Sequence, residues 1–89
     1  MISHINLGPG PFSRFMTMRR LIMDGQISFG GNQKLKIYGT LKCKTGKRMK
    51  AQNRVFFINE QEAIEVGYRP CASCMPHEYQ VWKKQNGNQ

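Results

Sequence analysis

Three cysteines are the residues of this sequence with the clearest chemistry. Cys71 and Cys74 are separated by two residues, so one turn can hold both sulfurs close enough to bind a soft metal ion. Cys43 lies 28 residues before Cys71, and a metal bound by all three would tie the middle of the chain to its last third. A closed structural zinc site takes four protein ligands. The cysteines therefore predict an incomplete zinc site, for which His77, His4 or water could supply the fourth ligand.

The cysteines have two further interpretations. They can pack as small buried residues with no metal, or Cys71 and Cys74 can form a redox pair, although no βαβ pattern surrounds them. We expect a cytoplasmic location, and in such a reducing compartment an odd number of cysteines favours metal or free thiols over disulfides. No apolar segment approaches the length of a membrane span or a signal peptide, so we expect no membrane association.

The charge of the chain indicates a polyanionic partner. Its 89 residues, enough for one domain, carry a formal net charge of +9. Residues 34–54 contain eight lysines and arginines and no acidic residue, which favours DNA as the partner over mere solubility. No base-reading motif is present, so we expect little sequence preference. The candidates for phosphate contacts are Lys36, Lys42, Lys44, Lys47, Arg48, Lys50 and Arg54.

The patterning around the cysteines predicts a small α+β domain with a short antiparallel sheet and flanking helices. Helices are predicted at residues 13–24, 59–67 and 76–84, strands at 27–29, 34–41 and 54–58, and a turn at 30–32. Alternation along 34–41 places Ile37 and Gly39 on an inward face and Tyr38 on an outward face. If the extended conformation continues, Cys43 shares the inward face with Gly39. The second helix has a capping residue in Asn59 and a left-handed stop in Gly67.

Three segments make residues 37–76 resemble the metal-binding domain of Ada, a bacterial protein that repairs methylated DNA phosphates and regulates transcription. The segments are Asn53-Arg54-Val55-Phe56-Phe57, Glu62-Ala63 and Gly67-Tyr68-Arg69-Pro70-Cys71-Ala72-Ser73-Cys74-Met75-Pro76. The resemblance implies a zinc ion held by four cysteines, the first two separated by three residues and the last two by two. It also implies that the first cysteine accepts a methyl group from a phosphotriester and that this strengthens DNA binding.

The present chain matches this pattern with one cysteine missing. Cys71 and Cys74 match the last pair, and counting back from Asn53 gives Cys43 the second position and Gly39 the acceptor position. A small slip would instead make Cys43 the acceptor and place Lys47 at the second ligand position. The first registration predicts a zinc-stabilised DNA-binding module without methyl-acceptor activity. A methyl acceptor that uses Cys43 as a zinc-activated nucleophile, and a basic protein-interaction module, are the alternatives.

The resemblance also sets the predicted organisation of the chain. Residues 34–85 are the Ada-like metal-binding domain, preceded at 12–33 by a helix and a short strand. The Gly-Pro repeat at 8–11 resists regular structure, so residues 1–11 are predicted to be a mobile arm. Residues 86–89 are predicted to be a frayed tail.

Overall fold

The computed structural model describes residues 1–43 and 49–86, which form one five-stranded sheet and three α-helices. The strands are β1 (Ile2–Ser3), β2 (Phe29–Asn32), β3 (Ile37–Thr40), β4 (Arg54–Phe57) and β5 (Arg69–Pro70), and the helices are α1 (Pro11–Met23), α2 (Glu60–Glu65) and α3 (Pro76–Asn86). The strand order is β1-β4-β2-β3-β5, and every pair is antiparallel except β3 with β5. The predicted α+β class is confirmed. None of the described helices is long and apolar enough to cross a membrane.

The strand register defines two faces of the sheet. Gly31 lies between Tyr38 and Val55 on one face, which we call the core face. Tyr38, Val55 and Phe57 form the hydrophobic core there with residues that follow β4, namely Ala63, Tyr68 and Met75. Gly30 lies between Gly39 and Phe56 on the opposite face, which we call the cysteine face because the three cysteines lie against it.

Tyr38 corrects the predicted orientation of its strand, since it is only 1% exposed instead of pointing outward. Its hydroxyl donates a hydrogen bond to Glu60 Oε2 at 2.7 Å. Alternation shows which residues share a face, but it does not show which face is covered. Here α2 covers the face that the sequence pattern assigns to solvent.

The turn predicted at residues 30–32 is also wrong, because these residues belong to β2. Glycine suits this central strand, since a Cβ at Gly31 would lie 2.9 Å from Phe57 Cε2 and 3.0 Å from the Ile37 carbonyl oxygen. The turn instead follows Asn32, whose carbonyl oxygen accepts from the Lys36 amide at 2.8 Å. Lys36 has a φ of 58°, so the strand predicted at 34–41 is shortened to Ile37–Thr40.

The predicted ends of α2 are confirmed. Asn59 Oδ1 accepts from the Glu62 amide at 2.9 Å, as expected of a capping residue. Gly67 has a φ of 89°, and the Tyr68 amide donates back to the Ala63 carbonyl at 3.0 Å, which closes the helix in a Schellman motif. At α1 the helix begins at Pro11, two residues before the predicted start at Ser13.

The N-terminal segment takes part in the sheet, contrary to the prediction of an arm without sheet pairing. Ile2 pairs with Phe56 and Ser3 pairs with Val55, which extends the sheet beyond β4. The Met1 amino group also forms a 2.8 Å ion pair with Glu62 Oε2. The cause is tertiary, because β4 would otherwise present an open edge. The tail predicted at 86–89 falls almost entirely outside the described residues.

Candidate metal centre

The parallel pair of β3 and β5 brings the cysteines together. The Cys71 amide donates to the Tyr38 carbonyl at 2.8 Å, so both strands end at the same edge of the sheet. Beyond β3 the chain turns back, and the Cys43 amide donates to the Thr40 carbonyl at 3.2 Å. Beyond β5 a second turn is closed by the Met75 amide, which donates to the Cys71 carbonyl at 3.0 Å. Two sequence-distant segments therefore place their cysteines at one point.

The spacing of the three sulfurs is close to that of a zinc site. All three lie within 4.8 Å of one another, and Cys43 Sγ and Cys71 Sγ are 3.8 Å apart. Zn–S bonds of about 2.3 Å in a tetrahedral site place neighbouring sulfurs about 3.8 Å apart. The Thr40 amide donates to Cys74 Sγ at 3.4 Å, a contact that orients this sulfur as outer partners of metal ligands do. The cysteine set thus fits a zinc ion.

The protonation of Cys74 depends on whether a metal ion is bound. Burial raises the pKa of the Cys74 thiol to about 11, although the Thr40 amide acts in the opposite direction. Such a thiol is protonated at neutral pH unless a nearby positive charge stabilises the thiolate. A metal ion supplies that charge and displaces the proton.

The chain brings no fourth ligand to this cluster in the described structure. Residues 44–48 and 87–89 contain no cysteine, histidine, aspartate or glutamate, so every such side chain is among the described residues. In that part of the chain, the group that could hold a metal consists of the three cysteines alone. His77 is exposed in the first turn of α3, and the His4 ring lies 5.7 Å from the Phe56 ring. Neither predicted alternative joins the cluster.

Gly39 faces the cluster from β3. A Cβ built on it would lie 2.6 Å from Cys74 Sγ, 3.2 Å from Cys71 Cβ and 4.0 Å from Cys43 Cβ. Gly39 and Cys43 therefore lie close together, although the chain turns after Thr40 and the extended conformation on which the predicted common face depended does not continue. A side chain added at position 39 would therefore enter the group of sulfurs.

The predicted phosphate contacts are distributed unevenly. Lys36, Lys42 and Lys50 are exposed, whereas Arg54 is half-buried and its burial lowers its pKa. The remaining candidates lie outside the described residues, namely Lys44, Lys47 and Arg48.

The acidic and basic helices lie on opposite faces of the sheet. The acidic helix α2 packs on the core face through Ala63. The helix α1 lies over the cysteine face and carries Arg14, Arg19 and Arg20 with no acidic residue. Basic charge therefore predominates on the side of the sheet that carries the cysteines.

A cavity of about 530 Å³ separates α1 from the cysteine face. Met18 and Ile22 line it from the helix, Gly30 and Phe56 line it from the sheet, and Cys43 and Cys71 lie at one end. Sequence reasoning missed this cavity because it depends on how α1 sits over the sheet. A signal was present in Gly30 and Gly39, whose pairing leaves the middle of this face without side chains.

Comparison with known proteins gives one match. A family model described as the metal binding domain of Ada matches residues 14–77. The match begins in α1, and so takes in this helix and β2 as well as the segments that carry the resemblance. Searches of curated proteins and of solved structures found no match.

Proposed function

The chain belongs to the family of the Ada metal-binding domain, and from this premise we propose that it is a zinc-stabilised DNA-binding module that lacks methyl-acceptor activity. The family match and the three-cysteine cluster indicate that the cofactor is zinc. The observation that carries the proposal is the glycine at position 39, which faces the cluster where the resemblance implies the acceptor cysteine. Glycine has no nucleophilic side chain, so a residue at that position cannot accept a methyl group in this chain.

The three cysteines have a structural role in this proposal. Cys43, Cys71 and Cys74 would hold the zinc, which stabilises their thiolates and links β3 to β5. A small domain gains much of its folding free energy from such a metal. A reducing compartment keeps the thiols available, and on this ground we place the protein in the cytoplasm.

The charge distribution supports DNA as the partner. The net charge is +9, and α2 carries three of the five acidic residues on the core face. Exposed Lys42 and Lys50 can approach phosphates, and the sequence adds Lys44, Lys47 and Arg48. Lys36 is exposed as well, but its Nζ lies 5.2 Å from the centroid of the Tyr68 ring. Cations that neutralise phosphates release counterions, so binding falls steeply with salt.

Duplex DNA titrated at several salt concentrations tests the binding. If four to six phosphates are neutralised, the log–log slope is about −4 to −5, and replacing Lys47 and Arg48 by alanine flattens it by about two. Replacing Lys83 and Lys84 by alanine is the matched control, because it removes the same charge from the end of α3. We expect this control to keep the slope. Equal slopes in all three proteins, or preferential binding of an acidic polypeptide, would contradict the proposed interface.

A second assay tests the absence of acceptor activity. The zinc-loaded protein is incubated with methylphosphotriester DNA, and its intact mass is measured. Transfer would break the methyl–oxygen bond, form an S–CH3 bond on Cys43 and leave a phosphodiester anion, adding the mass of one methylene. We expect no added mass. A methyl group on Cys43 would establish the slipped registration and overturn the proposal.

A further inference from the structure

The cavity beside the metal centre has the properties of a ligand site. Its volume of about 530 Å³ lies in the range of sites that enclose small molecules. The described lining is largely apolar, with Met18, Ile22 and Phe56 on opposing walls, and a flat floor where Gly30 pairs with Gly39. The shape and the lining together favour a compact apolar molecule.

The metal end of the cavity favours one chemical group on that molecule. Cys43, Cys71 and Gly39 line this end, and among residues 1–43 and 49–86 the group that could hold the zinc offers three sulfurs and no fourth ligand. A thiolate is one of the donors that complete a zinc site with three cysteine ligands. The described lining contains Arg54 and no carboxylate, so an anionic donor is favoured over an amine. Arg69 also lines the cavity, but its guanidinium lies over the rings of Tyr79 and Trp82.

We infer that the cavity binds a small apolar thiol whose sulfur becomes the fourth zinc ligand. The thiol releases its proton to solvent as the metal–sulfur bond forms, and its apolar body lies between α1 and the glycine floor. This inference rests on the proposed zinc site and not on the proposed DNA binding. The salt titration therefore tests DNA binding without testing the thiol site, and the cobalt titration does the reverse.

Cobalt substitution makes the fourth ligand visible. The cobalt protein, kept reduced with a phosphine, is titrated with phenylmethanethiol, with 2-mercaptoethanol and with phenylmethanol. Phenylmethanethiol should raise the sulfur-to-metal charge-transfer absorption by about one third, because the number of sulfur ligands goes from three to four. It should bind at least about tenfold more tightly than 2-mercaptoethanol, which buries less apolar surface. Phenylmethanol should leave the spectrum unchanged.

Gly30→Val links the preference to the cavity. A Cβ at Gly30 has its nearest contacts at 3.8 Å from the Val55 carbonyl oxygen and 3.9 Å from Leu41 Cδ2, and no cysteine atom is among its contacts within 4 Å. The position therefore has room for a larger side chain in the cavity. We expect its cobalt spectrum without thiol to match the original protein and the preference for phenylmethanethiol to disappear. Gly30→Ala, which adds one carbon, should weaken the preference in the same direction and serves if the valine variant does not fold.

Three results would overturn the inference. The first is no spectral change with either thiol, which would mean that the cobalt accepts no external sulfur. The second is equal affinity for the two thiols in the original protein, since the cavity would then contribute nothing. The third is an unchanged preference in a folded Gly30 variant that retains its cobalt spectrum.

Discussion

Replacing Gly39 by alanine and by cysteine separates the steric role of this position from its role in metal binding. The backbone at Gly39 has an ordinary strand conformation, since the described glycines with positive φ are Gly25 and Gly67. Any penalty of the substitution therefore comes from contacts and not from the φ angle. Both variants introduce the same Cβ, and the cysteine adds only a sulfur.

The size of the effect follows from the distances around the built Cβ. It lies 2.6 Å from Cys74 Sγ, whereas a favourable contact needs about 3.5–4.0 Å, so the sulfur has to move by about 1 Å. Overpacking of this kind costs about 1–3 kcal/mol. Because the displaced atom is a metal ligand, we expect Gly39→Ala to weaken zinc binding by about tenfold to a hundredfold. Gly39→Cys pays the same steric cost but closes a four-sulfur site, so its affinity should return to or exceed the original value.

Competition with a chromophoric chelator measures the zinc affinity of the three proteins, and cobalt spectra count the sulfur ligands. The informative quantity is the difference between the cysteine and alanine variants, because their steric effects cancel. Equal affinities and equal cobalt spectra in these two variants would refute the argument that position 39 reaches the metal. The registration would then shift, and Cys43 would become the candidate acceptor.

Three further predictions concern stability. Cys74→Ser should lower both the zinc content and the melting temperature, because it removes a proposed metal ligand. Ser73→Ala, at an exposed position in the same turn, should change neither. Metal analysis and thermal unfolding of the two variants test this prediction. Tyr38→Phe should lower the free energy of unfolding, measured with urea, by about 1 kcal/mol, because it removes the hydrogen bond to Glu60 without changing the shape of the ring. An unchanged urea midpoint would contradict this prediction. The hydrogen bond from the Met1 ammonium, and then that from the Ile58 amide, hold the pKa of Glu62 below its usual 4.5. Because the pKa of Glu62 is lower in the folded state than in the unfolded state, its carboxylate stabilises the fold at pH values above the unfolded-state pKa. This stabilisation is lost as the pH falls through the folded-state pKa. Glu62→Gln should therefore flatten the pH dependence of the free energy of unfolding in this acidic range, as measured by unfolding at several pH values.

Local chemistry made several features of this structure predictable. The ends of α2 follow from Asn59 and Gly67, whose capping and left-handed roles need only their own neighbours in the chain. The spacing of Cys71 and Cys74 was sufficient to predict one turn with two sulfurs. The proximity of Gly39 and Cys43 was predicted from strand alternation and from the count of residues in the resemblance, but a turn after Thr40 produces it.

Features that depend on packing between distant segments were not predictable in this way. Tyr38 is buried because α2 covers its face, and β2 is a strand because β3 and β4 flank its glycines. Pairing of Ile2 with Phe56 overrides the apparent mobility of a glycine- and proline-rich start. The cavity requires α1 to be placed over the sheet, which no local pattern specifies. In each case the deciding partner lies far away in the chain.

The two edges of the sheet also have a consequence for solubility. Edge strand β1 has two residues, and edge strand β5 consists of Arg69 and Pro70, of which the proline has no amide to donate. Such short edge strands offer few backbone amide and carbonyl groups for pairing with a strand of another molecule. A zinc ion bound by the cluster would hold β5 against β3, because Cys71 follows β5 directly and its sulfur lies 3.8 Å from that of Cys43 beyond β3. Removing the metal therefore releases the cover from Ile37–Thr40, and we expect the metal-free protein to aggregate through this strand.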